Sequence, residues 1–126
     1  MRPTFLSLDE VLALHADQIA RYGGDPGLRD LGLLKSAVAM PQATFSGEWL
    51  HPTLQEMAAA YLFHIVRNPF LDGNKRAGLI SAIAFLGLND LEIRAEPDEL
   101  FELVTAAAQG RVDKAQVAVF LKANTR

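Results

Sequence analysis

The chain has no cysteine, so disulfide bonds and thiolate metal ligands are excluded. The absence of cysteine fits a reducing compartment, and we expect a cytoplasmic protein. The chain also has no excess of positive charge, because its 12 lysines and arginines are outnumbered by 15 acidic residues, which gives a formal net charge of -3. Broad nucleic-acid binding requires a basic face, so we expect no direct nucleic-acid partner.

Long hydrophobic segments are missing as well. The longest nearly apolar run extends from Ala77 to Leu88, which is 12 residues and too short for the ~20 residues of a membrane-spanning helix. Residues 1–11 contain no apolar segment of the kind found in secretory signals, so we expect neither secretion nor membrane insertion. The composition, 50% hydrophobic and 21% charged, is that of a globular protein, and we assign residues 1–126 to a single domain.

Caps, helix breakers and apolar spacing predict an all-α bundle of about six helices. Capping boxes are expected at Ser7 to Glu10, Thr53 to Glu56 and Asp113 to Gln116, where the first, third and last helices begin. Asp30 is expected to cap the second helix, and Pro97 to open the fifth.

Two of the predicted helices are apolar on nearly every side. Helix three is expected to end at about Arg67 and contains the apolar segment Ala58 to Val66. Helix four is expected to run from Asn74 to Leu88, again apolar all round apart from Ser81. Helices of this composition lie inside a fold, so we expect these two to be its central pair.

The segment after the second helix shows no clean period. Pro41 stops that helix, and residues 42–50 alternate between polar and aromatic side chains. We expect a short flap loop or hairpin around residues 41–50, anchored by Phe45 and Trp49.

The break between the two apolar helices is where chemistry is expected. It reads Asn68-Pro-Phe-Leu-Asp-Gly-Asn-Lys-Arg76. Gly73 permits backbone conformations closed to other residues and allows close approach to a ligand, and Asp72 is expected to cap a helix that begins near Asn74. The free N–H groups of that helix, together with Lys75 and Arg76, predict a phosphate site.

Two further side chains of the loop receive separate interpretations. Asp72, on the rim of the turn, is a hard oxygen ligand of the kind that Mg²⁺ uses when it bridges to a nucleotide phosphate. Phe70 is interpreted as a core plug that pins the loop rather than as a residue that stacks on a ligand.

This nine-residue loop resembles the signature of the Fic/Doc superfamily, which reads His-Pro-Phe-x-(Asp/Glu)-Gly-Asn-(Gly/Lys)-Arg. Lys75, where many Fic proteins have Gly, points to the Doc branch. The resemblance continues through Tyr22 to Asp30, Pro41 to Phe45, His51 to Thr53 and Phe85 to Asn89, and so covers nearly the whole chain. It implies the Fic/Doc fold, in which the segment around residues 41–50 is a flap that aligns a protein target by backbone pairing.

The resemblance also implies a function, that of a toxin controlled by an antitoxin. Doc-type toxins are kinases that use ATP and Mg²⁺ to phosphorylate a threonine of translation elongation factor Tu, whereas Fic proteins usually transfer a nucleotidyl group to a protein hydroxyl. The implied roles are phosphate binding by Lys75, Arg76, Asn74 and the loop amides, and Mg²⁺ binding by Asp72.

One position departs from the signature. Asn68 stands where the family has its catalytic His, either by substitution or because a His has dropped out of an Arg-Asn-His-Pro run. A carboxamide does not accept a proton near neutral pH, so we expect a protein that is impaired as an enzyme, or an inactive pseudoenzyme that binds a nucleotide or an antitoxin.

The three histidines are interpreted individually. His15 lies on the apolar face of the first helix and is expected to be structural, and His51, which precedes Pro52, is expected to be an exposed turn residue. His64 lies four residues before Asn68 and would point towards the loop if the helix continued. Hydrogen-bonded packing is the leading interpretation of His64, and a catalytic role is the alternative.

Overall fold

The computed structural model describes residues 2–126, which form six α-helices and one two-stranded hairpin. A 3₁₀ turn, Met40–Gln42, separates the second helix from the hairpin. The all-α fold expected from the sequence, with a hairpin between residues 41 and 50, is confirmed. The elements in chain order are α1 (Leu8–Tyr22), α2 (Leu31–Ala39), β1 (Thr44–Phe45), β2 (Glu48–Trp49), α3 (Leu54–Ile65), α4 (Asn74–Leu88), α5 (Pro97–Ala108) and α6 (Lys114–Ala123).

The starts of α1 and α3 show how far local capping chemistry determines where helices begin. The Ser7 hydroxyl accepts from Glu10 N at 3.1 Å, and the Glu10 carboxylate accepts from Ser7 N at 2.9 Å, which completes the expected box. At α3 only half of the box forms, since Thr53 Oγ1 accepts from Glu56 N at 3.1 Å. The Glu56 carboxylate instead accepts from Lys122 Nζ of α6 at 2.8 Å, so a long-range ion pair replaces the local bond.

Helix α3 is the centre of the fold. Its residues Met57 to Leu62 are 0% exposed, and it packs against α2, α4, α5 and α6. The expectation for α4 was only partly right, because Ile83 and Leu88 are 37% and 47% exposed. Contacts with α1, α3 and α5 cover part of α4 and leave these two side chains exposed. Within residues 2–126, no helix is long and apolar enough to cross a bilayer.

At Gly78, α4 lies close to the C-terminal end of α3. A Cβ at this position would lie 2.9 Å from Val66 Cγ1 and 3.1 Å from the carbonyl oxygen of Leu62. The absence of a side chain at Gly78 therefore lets the two helices that flank the loop pack closely.

Helix α3 ends at Ile65, before the Arg67 expected from the sequence. Asn68 has a positive φ of 66°, and a residue before proline is disfavoured in the helical region. The helix must therefore unwind before Pro69, and the loop begins there.

The hairpin pairs Thr44 with Trp49 and Phe45 with Glu48. Paired residues share one face of a hairpin, and successive pairs point to opposite faces. Trp49 turns inward, where its ring centroid is 5.5 Å from that of Phe5, whereas Phe45 is 77% exposed. The expectation that Phe45 anchors the hairpin is wrong, because its pair faces solvent.

Candidate functional site

The segment between α1 and α2 holds the loop that joins α3 to α4. The carbonyl oxygen of Pro69 accepts from both Arg29 N and Asp30 N at 2.9 Å, and Leu71 N donates to the carbonyl oxygen of Gly27 at 3.0 Å. These bonds join parts of the chain about 40 residues apart, and they fix the path of the loop backbone.

Phe70 and His15 fix the loop from the core side. Phe70 is 1% exposed, and the His15 ring stacks on it with centroids 3.6 Å apart and an interplanar angle of 4°. His15 Nε2 lies 2.8 Å from the carbonyl oxygen of Asp72, to which the protonated ring nitrogen donates. His15 is therefore a structural residue, as expected, and its role is to hold the loop through Phe70 and Asp72. Helical periodicity indicated its burial but could not indicate its partner.

Asn74 braces the loop from the first residue of α4. Its Oδ1 accepts from Phe70 N at 3.0 Å, and its Nδ2 donates to the Phe70 carbonyl oxygen at 3.1 Å. Both ends of the carboxamide thus contact the main chain of one residue. The second hydrogen of Nδ2 and the main-chain N–H of Asn74 are left for a ligand.

The expectation that Asp72 caps α4 is wrong. Gly73 is the N-cap residue, with φ 75° and ψ 20°, and no side chain caps the helix. Asp72 Oδ1 accepts from Gly73 N at 2.8 Å, and Oδ2 from Asp25 N at 3.3 Å. The left-handed turn at Gly73 directs the Asp72 carboxylate away from the helix and towards the α1–α2 segment. Glycine suits this turn also because a Cβ would lie 3.1 Å from Ile19 Cδ1.

The first turn of α4 presents donors without intrahelical acceptors. The first main-chain bond of the helix runs from Ala77 N to the carbonyl oxygen of Gly73 at 2.9 Å. The N–H groups of Asn74, Lys75 and Arg76 therefore have no partner within the helix. Together with the positive end of the helix dipole, they form an environment that favours an anion.

The two cations of the loop differ in their freedom. Lys75 extends over the cavity, where its Nζ is 5.3 Å from the centroid of the Phe101 ring. Arg76 is held against the end of α1, since its Nη2 donates to the Gly23 carbonyl oxygen at 3.0 Å and it lies over the Tyr22 ring. Among residues 2–126, no carboxylate is in salt-bridge range of either cation, so their charge is available to a ligand.

These groups surround one cavity of about 1050 Å³. The loop and the first turn of α4 form its polar end, and apolar side chains of α4 and α5 form the other end. Phe70 is buried and does not line the cavity. The predicted site residues that line the cavity are Asn68, Asp72, Gly73, Asn74, Lys75 and Arg76.

Asp72 has the geometry of a single metal ligand. The part of the chain that the structure describes has no cluster of three or more His, Asp or Glu residues that could hold an ion without help. Each Asp72 oxygen accepts one backbone hydrogen bond and keeps a lone pair, and the carboxylate is exposed at the cavity rim. This fits Mg²⁺, which is commonly bound by one or two carboxylates together with substrate phosphates.

The other two histidines lie away from the cavity. His64 Nε2 is 3.1 Å from Lys114 Nζ of α6, and burial, followed by the charge of Lys114, lowers the pKa of His64 to about 4. His51 is 7% exposed, so the expectation of an exposed turn residue is wrong. Its ring turns inward, and burial and the Lys114 charge lower its pKa below the usual 6.5. His64 does not line the cavity, where the catalytic alternative would require it to lie.

Fold and site together describe a helical domain in which a glycine turn opens a cationic helix N-terminus onto a cavity. Comparison with known proteins places the chain more closely. It belongs to the Fic/Doc family, whose model matches residues 5–86, a range that includes the loop and most of α4.

Two relatives are similar over most of the chain. The "Protein kinase doc" of Escherichia phage P1 is 37% identical over 118 residues, which cover 93% of this chain and 92% of that protein. The "Toxin Doc" of Mycolicibacterium smegmatis is 45% identical over 92 residues, or 72% of this chain and 70% of that protein. Both relatives belong to the Doc branch that Lys75 indicates.

Proposed function

We propose that this protein is a Doc-type toxin of a toxin–antitoxin pair, built to transfer the γ-phosphoryl group of ATP to a hydroxyl of elongation factor Tu. The observation that carries the proposal is the single cavity onto which Asn68, Asp72, Lys75 and the N-terminus of α4 open. The names of the two Doc relatives support a toxin and a kinase. An antitoxin partner follows from the same likeness.

The residues of the cavity divide the work of phosphate binding. Lys75 and the free N–H groups of α4 neutralise the triphosphate, because both carry positive charge to one end of the cavity. Arg76, fixed against α1, contributes its charge from the wall. Asp72 would hold Mg²⁺, which would supply neutralisation of the phosphate charge. Asn74 contributes its main-chain N–H, since its carboxamide braces Phe70.

Asn68 limits the chemistry. Asn68 lines the cavity at the family's His position, but its carboxamide takes up no proton near neutral pH. Loss of a general base typically lowers a rate by about 10² to 10⁴-fold. We therefore propose a protein that retains nucleotide binding and transfers phosphate weakly. A pure pseudoenzyme is the second candidate, and Asn68 is the residue that favours it.

Two variants test the base, one for each origin of Asn68. In Asn68→His the new side chain would occupy the cavity wall, and His, like Asn, is among the residues that tolerate a positive φ. In the second variant a His is inserted between Asn68 and Pro69. We expect one of the two to transfer label from γ-labelled ATP to elongation factor Tu at least about 10²-fold faster than the parent, and to arrest growth in cells without antitoxin.

Labelling separates the reactions. If label is transferred from α-labelled ATP instead, the activity is that of a nucleotidyltransferase and not of a kinase. If every variant binds ATP but none transfers label, the result favours the pseudoenzyme. Lys75→Met in the restored background should abolish transfer, whereas Lys35→Met, an exposed lysine on α2 outside the cavity, should not. Growth arrest by the parent but not by the restored variants would refute the role given to position 68.

A further inference from the structure

The apolar end of the cavity is a separate feature of the structure. It is formed by Leu79 of α4 and by Leu100, Phe101, Val104 and Ala108 of α5. Helix α5 lies beyond residues 5–86, so the family match does not account for it. A ligand that carried only phosphates would leave this end of the cavity empty.

Phe101 is the most exposed part of that surface. Its side chain is 61% exposed although it lines a concavity, whereas the neighbouring Val104 is 2% exposed. The ring is therefore not part of the core, and much of it is exposed. Flat aromatic faces of this kind are the usual stacking surfaces for nucleic-acid bases, because every base has a π-face.

Lys75 connects the two ends of the cavity. Its main-chain N–H belongs to the α4 N-terminus, and its ammonium group lies 5.3 Å from the centre of the Phe101 ring. A cation over an aromatic face is weakly held when it is exposed, so phosphate oxygens can attract it away. Removal of the ammonium group leaves the ring face free for another flat, polarisable group.

We propose that Phe101 is the platform on which the aromatic base of the nucleotide stacks while its phosphates bind at the N-terminus of α4. This inference rests on the proposed function and adds a base site to it. The cavity, at about 1050 Å³, is at the upper end of the ~300–1,000 Å³ usual for small-molecule sites and has room for both parts of a nucleotide. When the nucleotide binds, the Lys75 ammonium group leaves the Phe101 ring and contacts the phosphates.

Stacking on Phe101 would distinguish bases by the area of their rings rather than by their hydrogen-bonding groups. Stacking tolerates any base, and a purine offers more surface than a pyrimidine. We therefore expect ATP and GTP to bind with similar affinity and both to bind more tightly than CTP or UTP. Inorganic tripolyphosphate, which has no base, should bind more weakly than ATP by about tenfold or more.

The test compares ATP with tripolyphosphate by calorimetry on four proteins: the parent, Phe101→Ala, Phe101→Trp and Phe45→Ala. Phe45 is a matched control because it is another exposed phenylalanine, on the hairpin and outside the cavity. Phe101→Ala should weaken the binding of ATP by about tenfold or more and leave the affinity for tripolyphosphate unchanged. Phe45→Ala should change neither, and Phe101→Trp should retain ATP affinity.

The possible failures are distinguishable. If the parent binds ATP no more tightly than tripolyphosphate, or if Phe101→Ala leaves ATP affinity unchanged, the base platform is refuted while the phosphate site stands. If the parent binds neither ligand, the proposed function is refuted together with the platform. Because the Phe101 ring is largely exposed, we expect the thermal midpoint of Phe101→Ala to match that of the parent.

Discussion

Replacement of Asn74 by alanine provides a direct test of how the loop is held. The substitution removes the two hydrogen bonds between the Asn74 carboxamide and the main chain of Phe70, at 3.0 and 3.1 Å. Alanine is a good helix former, so α4 itself is not weakened. The expected loss is confined to the link between the first turn of α4 and the loop.

The magnitude follows from the two bonds and from their burial. A hydrogen bond contributes about 0.5–1.5 kcal/mol net, and a buried group left without a partner costs about 1–3 kcal/mol. Phe70 is 1% exposed, so its N–H and C=O groups have limited access to water. We expect the free energy of unfolding of Asn74→Ala to fall by about 2–3 kcal/mol. Urea denaturation should show a midpoint lower by roughly 1–2 M, with an unchanged slope.

Asn89 supplies the matched control at the other end of α4. Its Oδ1 accepts from Thr4 N at 2.8 Å, and its Nδ2 donates to the Thr4 carbonyl oxygen at 2.9 Å, which repeats the arrangement of Asn74. Its Nδ2 also donates to the Phe85 carbonyl oxygen at 2.8 Å, so Asn89→Ala removes three bonds. We expect the free energy of unfolding to fall by about 1–3 kcal/mol, because water can replace the bonds to the exposed Thr4 but has less access to the part-buried bond to Phe85. Only Asn74→Ala should also weaken ATP binding, by about tenfold or more.

Two results would refute this reasoning. A change in unfolding free energy below about 0.5 kcal/mol for Asn74→Ala would mean that the loop holds its shape without the carboxamide. Equal losses of ATP affinity in both variants would mean that affinity follows overall stability rather than the geometry of the loop.

Three further predictions concern His15, Gly78 and His64. His15→Leu should lower the free energy of unfolding by about 1–3 kcal/mol, because it removes the hydrogen bond to the Asp72 carbonyl oxygen. His15→Gln should lower it by less, because glutamine can still donate to that oxygen. Thermal denaturation of the two variants tests the difference. Gly78→Ala should lower the free energy of unfolding by more than about 1 kcal/mol, because the new methyl group clashes with Val66. Gly87→Ala should raise it by about 0.5–1 kcal/mol, because a Cβ there has nothing within 4 Å and alanine favours the helix. The opposite order in urea denaturation would contradict the close packing described at Gly78. The folded-state pKa of His64, about 4, lies below its usual 6.5, so the unfolded chain binds the proton first and stability falls as pH is lowered from 6.5 to 4. His64→Leu should reduce that slope, and an unchanged slope would show that carboxylates alone produce it.

Local patterns in the sequence determined the elements of the fold. Apolar spacing and capping residues predicted six helices, because these signals act over three or four neighbouring residues and need no tertiary contact. The loop between α3 and α4 was identified from its nine residues together. Its cations and Asp72 do meet on one cavity, as a glycine turn into a helix N-terminus predicts.

The tertiary structure decided how that loop is built. Gly73 rather than Asp72 caps α4, because the carboxylate contacts Asp25, 47 residues away in the chain. His15 supports the loop across 57 residues, and Phe101 reaches the cavity from a helix that contains no motif. Such contacts depend on which surfaces the folded helices bring together, and no local spacing records them. The sequence by itself thus determined which residues the loop contains and predicted a phosphate site there, whereas packing between distant segments determined which of their groups are left without other partners.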